Sequence, residues 1–135
     1  MVPAPLDVTS QNDAIALWEA CGLTRPWNDP AADFARAIAG PGSAILGVSR
    51  DGSLLGTVMV GDDGHRGWVY YLAVAAAVRR EGLGSALMHA AEDWLRRRGA
   101  PRLNLMVRTE NAAILGFYLA RGYMRSEVTV LQKTL

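Results

Sequence analysis

Cysteine is nearly absent from this chain of 135 residues, in which Cys21 stands alone. A single cysteine excludes a disulfide framework within the chain and leaves no Cys/His cluster with metal-ligand spacing, so we expect no metal site. Cys21 directly precedes Gly22, at the end of a predicted helix. We therefore expect its side chain to be a buried small hydrophobe rather than a nucleophile.

Long apolar runs and an excess of one charge are also missing. The longest apolar run, Trp68 to Val78, has eleven residues, whereas a membrane helix needs ~20. The segment Met1–Pro5 has neither a basic region nor a long apolar core, so we expect no secretory signal. With 14 basic and 13 acidic residues, the net charge is +1, which gives no general attraction to nucleic acid or anionic membranes. These absences predict a cytoplasmic protein with neither of those partners.

Half of the residues are hydrophobic, which is enough for a real core and too many for a disordered chain. The length favours one domain, and no repeat or linker divides the sequence. We therefore predict a single domain over residues 1–135.

Cap and turn residues separate the predicted elements. Ser10 with Asp13 is typical of a capping box, Asp29 and Pro30 indicate a second helix start, and Asp51-Gly52 indicates a hairpin. Strands are predicted at Leu6–Val8, Ala44–Val48, Leu54–Val60, Trp68–Val74, Arg102–Val107 and, as one or two closing strands, Tyr123–Leu135. Helices are predicted after Ser10, from Pro30, at Leu83–Arg98 and at Asn111–Arg121. This order predicts an α/β fold with a mixed sheet, in which Trp68–Val74 is a central strand buried on both faces.

The six residues from Arg79 to Gly84 are the main candidate for a ligand site. They join the predicted strand at Trp68–Val74 to the amphipathic helix that starts at Leu83. Backbone N–H groups at a helix N-terminus lack intrahelical partners, and the helix dipole favours an anion there. Gly82 and Gly84 allow close approach of a ligand to the backbone. The segment therefore predicts a phosphate-binding loop.

Several interpretations compete for this loop. A nucleoside-triphosphate P-loop requires Gly-Lys-Ser/Thr, and this tripeptide does not occur in the chain. The dinucleotide pattern G-x-G-x-x-G lacks its third glycine, because Leu87 stands in that place. A glycine-containing turn without a ligand stays open. The remaining pattern, R-x-x-G-x-G, is filled by Arg79, Gly82 and Gly84 and resembles the pyrophosphate loop of the GNAT superfamily of N-acetyltransferases.

A second segment strengthens this resemblance. Asn111 is placed to cap a helix, Tyr118 lies two turns further along it, and Gly122-Tyr123 ends it. This arrangement is similar to the second half of the GNAT cofactor site. The resemblance implies that Asn111 contacts the pantetheine or phosphate arm and that the Tyr118 hydroxyl lies near the coenzyme sulfur. A plain helix cap and a core aromatic are the alternative roles of these two residues.

The resemblance covers nearly the whole chain and implies a GNAT-like, mostly antiparallel mixed sheet flanked by about four helices. It also implies acetyl-CoA as co-substrate, transfer to a primary amine by direct attack, and no metal. The segments Leu23–Pro30 and Asp62–Gly67 resemble the YpeA-type branch of the superfamily. The implied coenzyme-binding residues are Leu72, Ala73, Val74, Arg79, Arg80, Glu81, Gly82, Leu83, Gly84, Ser85, Asn111 and Tyr118.

Two positions depart from the family pattern. Ala75–Ala77 stands where the family often has proline, and Arg80 stands where it often has glycine. We expect Arg80 to be limited to ordinary backbone angles and its side chain either to face solvent or to reach the 3′-phosphate of the coenzyme.

Acetyl transfer needs an oxyanion donor, an acid for the departing thiolate and a base for the amine. The resemblance places the donor and the pantetheine pairing at Leu72–Val74, provided that the central strand bulges or diverges from the strand at Arg102–Val107, as it does in the family. It also makes Tyr118 the acid. The predicted central strand carries no acidic residue that could be the base. Histidine is a side-chain type suited to removing a proton near neutral pH, and His65 is the candidate; water as the base and a purely structural His65 are the alternatives.

Two non-catalytic functions remain open from sequence, an acyl-CoA-binding sensor and an interaction module on the same fold. Tyr118 favours catalysis, because a sensor needs no hydroxyl at the sulfur. The acceptor amine is not identified by any motif. Strand edges near the C-terminus could pair two copies into a homodimer.

Overall fold

A computed structural model describes residues 2–135. The chain divides into a first compact unit that ends at Leu105 and a second unit, Met106–Leu135. The first unit contains a five-stranded sheet and three α-helices, and the second contains a fourth helix. The predicted α/β fold with a mixed, mostly antiparallel sheet and about four helices is confirmed.

The first unit contains most of the regular structure. Its elements, in chain order, are β1 (Ala4–Pro5), α1 (Gln11–Ala20), α2 (Pro30–Ala39), β2 (Ser43–Arg50), β3 (Ser53–Asp62), β4 (Gly67–Val74), α3 (Leu83–Arg97) and β5 (Leu103–Asn104). The strands lie side by side in sequence order. The first four are antiparallel neighbours, and β5 lies parallel to β4.

Local sequence explains two of these elements. Asp51 and Gly52 have φ angles of 54° and 79°, the left-handed pair that a tight hairpin between β2 and β3 requires. The Asp29 carboxylate accepts a hydrogen bond from the backbone N–H of Ala32 at 3.1 Å, and Pro30 takes the first helical position of α2. The predicted hairpin and the predicted start of α2 are both confirmed.

Helices pack on the sheet through apolar side chains. On one side, Trp18 and Phe34 from α1 and α2 join Ile45 of β2 in a fully buried cluster. In α3, Leu87 lies so close to Gly56 that a Cβ on that glycine would stand 2.9 Å from the leucine Cδ1. Gly56 therefore brings α3 close to the start of β3, beside the end of β4, where Val74 pairs with Gly56.

The N-terminal prediction is wrong in detail. Leu6–Val8 is not a strand; the short strand lies at Ala4–Pro5, and Val8–Ser10 forms a 3-10 turn. Ser10 makes no side-chain cap on α1. The Asp7 carboxylate instead accepts the backbone N–H of Thr9. An aspartate two residues upstream of an N–H competes effectively for it, and this moves the cap toward the N-terminus.

The second unit is less regular than predicted. Its helix, α4, spans Ala112–Leu119, and residues 120–135 form no strand. The closing strands predicted at Tyr123–Leu135 are therefore wrong, and the strand predicted at Arg102–Val107 is reduced to β5. Alternation of apolar residues such as Val128 and Val130 indicates which side chains would share a face. It does not supply the neighbouring strand that a ladder needs, and both side chains are exposed.

No helix within residues 2–135 combines the length and the apolar composition that crossing a bilayer requires.

Candidate active site

A connection of eight residues, 75–82, joins the end of β4 to the N-terminus of α3 and contains a 3-10 turn at Ala76–Val78. Gly82 takes the N-cap position with φ +82°, and no side chain caps the helix. A Cβ at Gly82 would meet nothing within 4 Å, so the space beside this N-terminus is open. The first N–H groups of α3, on Leu83, Gly84 and Ser85, precede the first complete helical turn. An open helix N-terminus of this kind favours the binding of an anion.

Arg80 adopts a backbone conformation that the sequence did not predict. Its φ is +73°, in the left-handed region that is costly for any residue with a Cβ. The expectation that Arg80 would keep ordinary angles is therefore wrong. The loop keeps the backbone shape that a glycine would adopt, and it also carries a guanidinium beside the helix N-terminus.

The neighbours of Arg80 point in different directions. Arg79 donates from Nε to the Val74 carbonyl at 3.4 Å, so its side chain folds back onto the end of β4. Glu81 forms an exposed ion pair with Arg50 at 3.5 Å. Both contacts tie the loop to the sheet, and a surface pair of this kind contributes little to stability.

One edge of β4 extends beyond its neighbour. Pairing with β5 includes only Gly67 with Leu103 and Trp68 with Asn104 among residues 2–135. The strand continues for six more residues, to Val74. Leu72, Ala73 and Val74 therefore lie on a stretch whose far edge is outside the β4–β5 ladder. Backbone groups on such an edge can pair with an extended ligand.

The same stretch contains a β-bulge. Thr57 of β3 pairs with Ala73, whereas Met59 pairs with Tyr70, so Tyr71 and Leu72 together oppose Val58. Tyr71 has a φ of +52°. The predicted burial of this strand on both faces fails here, since Tyr70 is 44% exposed.

Polar contacts surround the bulge. The Trp18 indole donates to the Thr57 hydroxyl at 2.9 Å, and that hydroxyl donates to the Tyr71 carbonyl at 3.0 Å. The Tyr71 ring stacks on Trp18 with 3.8 Å between centroids. The Tyr71 hydroxyl donates to the Asp33 carboxylate at 2.7 Å. Burial and the neighbouring carboxylate both raise the Tyr71 pKa well above its ordinary value, so this donor keeps its proton.

His65 lies at the other end of β4. The Asp63 carboxylate accepts backbone N–H bonds from His65 at 2.8 Å and Arg66 at 2.7 Å, which orders the turn before Gly67. These bonds lower the Asp63 pKa. The His65 side chain is exposed, and its Nε2 accepts a bond from Arg66 Nε at 3.2 Å. Gly67 and Leu72 are five residues apart, about 16 Å along an extended strand.

The second unit holds the other two predicted site residues. The Asn111 Oδ1 accepts the Ile114 N–H at 3.2 Å and caps α4. Tyr118 is 7% exposed, and its ring makes edge contacts with Phe117 and Tyr123. Burial raises the Tyr118 pKa to about 12. The hydroxyl therefore stays protonated at neutral pH.

The structure thus brings Leu72–Val74 together with the Arg79–Ser85 segment and sets His65 apart from both. Sequence reasoning missed four residues, namely Trp18, Asp33, Thr57 and Tyr71. Of these, only the buried hydroxyl of Thr57 among apolar strand residues gave a signal, and it is a weak one. No group of three His, Cys, Asp or Glu side chains in the described part of the chain is arranged to hold a metal.

Comparison with known proteins accounts for this architecture. A curated acetyltransferase of Yersinia pestis is 42% identical over 123 residues, which cover 91% of this chain and 87% of the relative. An aminoglycoside N-acetyltransferase in complex with CoA superposes with a TM-score of 0.84 at 16% identity, over 98% of this chain and 93% of that one. The ribosomal-protein-S18-alanine N-acetyltransferase of Escherichia coli superposes with a TM-score of 0.76 at 23% identity. The superposition covers 90% of this chain and 76% of that one.

The two structural similarities concern the fold alone, whereas the Yersinia relative and a family model bear on descent. The model of the acetyltransferase (GNAT) family matches residues 12–123, a range that spans the loop before α3, the bulged strand and α4. The protein belongs to the GNAT family and is an acetyltransferase.

Proposed function

We propose that this protein transfers the acetyl group of acetyl-CoA to a primary amine by direct attack of the amine on the thioester. The observation that carries the proposal is the position of the α3 N-terminus. It follows β4 after the short connection of residues 75–82, and the edge of β4 at Leu72–Val74 lies outside the ladder with β5. A phosphate site and an extended backbone edge in succession suit a ligand with a pyrophosphate and an amide-containing arm.

In this proposal the two parts of the coenzyme have separate partners. The backbone from Arg80 to Ser85 holds the pyrophosphate, because helix N-terminal N–H groups and the dipole favour an anion. Leu72, Ala73 and Val74 pair with the amides of the pantetheine. Arg79 connects the loop to the end of β4, because its Nε donates a hydrogen bond to the Val74 carbonyl. Asn111 contacts the same arm by resemblance to the family.

The reaction then needs three events at the thioester. The amine nitrogen forms a bond to the carbonyl carbon, and the carbonyl oxygen becomes an oxyanion held by a backbone N–H of β4. The C–S bond breaks, and the sulfur leaves as the CoA thiolate. The nitrogen loses a proton to a base, and the Tyr118 hydroxyl donates a hydrogen bond to the departing thiolate, which then takes up a proton from solvent. The products are the acetamide and free CoA.

The acceptor class is tested by a screen of amines with acetyl-CoA, read by release of free thiol. The panel contains aminoglycosides and an N-terminal alanine peptide, after the two structural neighbours, together with lysine and polyamines. Thiol release that depends on one amine supports transfer. CoA binding without release from any amine would favour a non-catalytic sensor.

The other predictions from sequence are not tested by the structure. A single acetyltransferase domain over residues 1–135, membership of the YpeA-type branch, a cytoplasmic location, the absence of nucleic-acid and membrane partners, and a homodimer all stay predictions.

Arg80→Gly should remove a preference for the coenzyme 3′-phosphate. Glycine adopts φ +73° without strain, so the loop keeps its shape and only the charge is lost. If the guanidinium contacts the 3′-phosphate, the wild type binds CoA roughly tenfold more tightly than 3′-dephospho-CoA, a typical gain for one charge-assisted contact. Calorimetry with both ligands should show that ratio fall toward one in the variant. An unchanged ratio would mean that Arg80 faces solvent.

His65→Ala should lower turnover more than it weakens CoA binding. We expect a loss of roughly tenfold, smaller than the ~10²–10⁴-fold typical of a base in direct contact, because the turn lies about 16 Å from Leu72 along the strand. His89→Ala is the matched control, since His89 is the other histidine and is exposed on α3. Turnover equal to that of wild type from pH 6 to 9 would leave His65 with a structural role.

A further inference from the structure

The bulge in β4 takes the peptide group between Tyr71 and Leu72 out of the regular pairing with β3. Tyr71 and Leu72 share a single partner, Val58, so the peptide that joins them is not fixed by the ordinary ladder. The unusual φ of Tyr71, +52°, turns this peptide further. Something other than strand pairing has to hold its orientation.

Thr57 supplies the holding contact. Its hydroxyl donates to the Tyr71 carbonyl at 3.0 Å and accepts from the Trp18 indole at 2.9 Å. Thr57 and Trp18 are both fully buried. A hydroxyl has one proton to donate, and the indole N–H can only donate, so Trp18 directs the Thr57 proton toward Tyr71.

The direction of the Tyr71 carbonyl fixes the direction of the Leu72 N–H, because both belong to one peptide group. The Tyr71–Leu72 peptide is trans and planar, so its C=O and N–H point in opposite directions. A hydrogen bond on the Tyr71 carbonyl therefore aims the Leu72 N–H away from Thr57. Leu72 is the first residue of the stretch that the proposed function assigns to the thioester and pantetheine.

The Tyr71 side chain restrains the same bulge from its other end. Its ring lies nearly parallel to Trp18, at an angle of 14°, and its hydroxyl is bonded to Asp33 of α2. One indole thus contacts both the carbonyl-holding hydroxyl and the ring of the bulged residue. The backbone and side chain of Tyr71 are fixed together.

We propose that Thr57, held by Trp18, is a positioning residue that aims the Leu72 N–H at the thioester carbonyl and so sets the oxyanion donor of the reaction. This inference rests on the proposed function and adds to it a buried relay, Trp18 to Thr57 to Tyr71, that never touches the substrate. An oxyanion donor acts only if it is aimed in advance. The relay supplies that aim.

The test compares Thr57→Val with Thr57→Ser. Valine keeps the shape and removes the hydroxyl, whereas serine keeps the hydroxyl. We expect Thr57→Val to lower kcat by about tenfold or more, but by less than the ~10²–10³-fold lost when an oxyanion donor is removed outright, with CoA affinity unchanged. Thr57→Ser should restore most of the turnover. If Thr57→Val does not fold, Trp18→Phe removes the indole donor and is judged by the same measurements.

A spectroscopic measurement needs no acceptor amine. In ¹⁵N-labelled wild-type protein, the Leu72 amide should shift further downfield with acetyl-CoA than with CoA, since only the former offers a thioester carbonyl. Thr57→Val should abolish this difference, and Thr57→Ser should retain it. Wild-type turnover in Thr57→Val, or a parallel fall of kcat, CoA affinity and melting temperature, would overturn the positioning role.

Failure of the proposed function is distinguishable from failure of this inference. Absence of CoA binding by the wild type would remove the proposed function. Normal CoA binding by the wild type, with a Leu72 amide that does not distinguish acetyl-CoA from CoA, would overturn the inference and leave the proposed function intact.

Discussion

Tyr118→Phe should lower turnover about a hundredfold, at the lower end of the range for general acid catalysis, and should leave CoA affinity nearly unchanged. The substitution keeps the ring and its edge contacts with Phe117 and Tyr123, and removes only the hydroxyl. The raised pKa of about 12 keeps the hydroxyl protonated. It also makes complete proton transfer to a thiolate of pKa ~8.5 unfavourable. We therefore expect Tyr118 to stabilise the departing sulfur mainly by donating a hydrogen bond.

The pH profile tests the same residue without mutation. The protonated phenol is the active form. Because its pKa is raised from 10.0 to about 12, the phenol loses its proton only at higher pH. Wild-type kcat should therefore show no fall from Tyr118 ionisation up to pH 10. Measurements use the amine found in the screen, under conditions where chemistry is rate-limiting. If Tyr118→Phe turns over as fast as wild type, Tyr118 is a packing residue.

The loop before α3 could be predicted because its signals are local. The N-cap position of α3 has a left-handed backbone conformation, which glycine adopts at little cost, and Gly82 occupies it. The patterns on either side of the loop predict a strand and a helix. The same holds for Asp51-Gly52, where the turn type is set by two residues. Arg80 is the exception, because a residue with a Cβ favours a negative φ and Arg80 has a positive one. The preference of the single residue therefore does not predict its conformation in this loop.

The family resemblance raised a bulge in the central strand, but its position and the contacts around it could not be predicted, because they depend on the pairing of two strands. Tyrosine and threonine are both common in strands, so Tyr70, Tyr71 and Thr57 give no sign of an irregularity. Their roles depend on a register shift between β3 and β4 that leaves no trace in either sequence alone. The closing strands failed for the related reason that an alternating pattern does not specify its partner. Local features such as the glycine N-cap at Gly82 were predictable from one segment, whereas contacts that depend on strand pairing, such as that of Thr57 with Tyr71, were not.

Gly82→Asp should weaken CoA binding about tenfold more than Gly82→Asn does. Both side chains have the same size, both tolerate φ +82° better than most residues, and a Cβ there meets nothing within 4 Å. The pair therefore differs in one negative charge. Like charges ~5 Å apart near a protein surface repel by about 3 kcal/mol, and solvent screening at this exposed position leaves roughly half of that.

Calorimetry of the wild type should show binding of CoA in the micromolar range, roughly −8 kcal/mol. Backbone strain acts equally on the two variants and cancels in their comparison, which leaves the charge as the measured quantity. Because salt screens that charge, the difference between Gly82→Asp and Gly82→Asn should shrink as ionic strength rises. Equal affinities of the two folded variants at low salt would mean that no phosphate lies beside Gly82, and the coenzyme would then have to bind elsewhere on the protein.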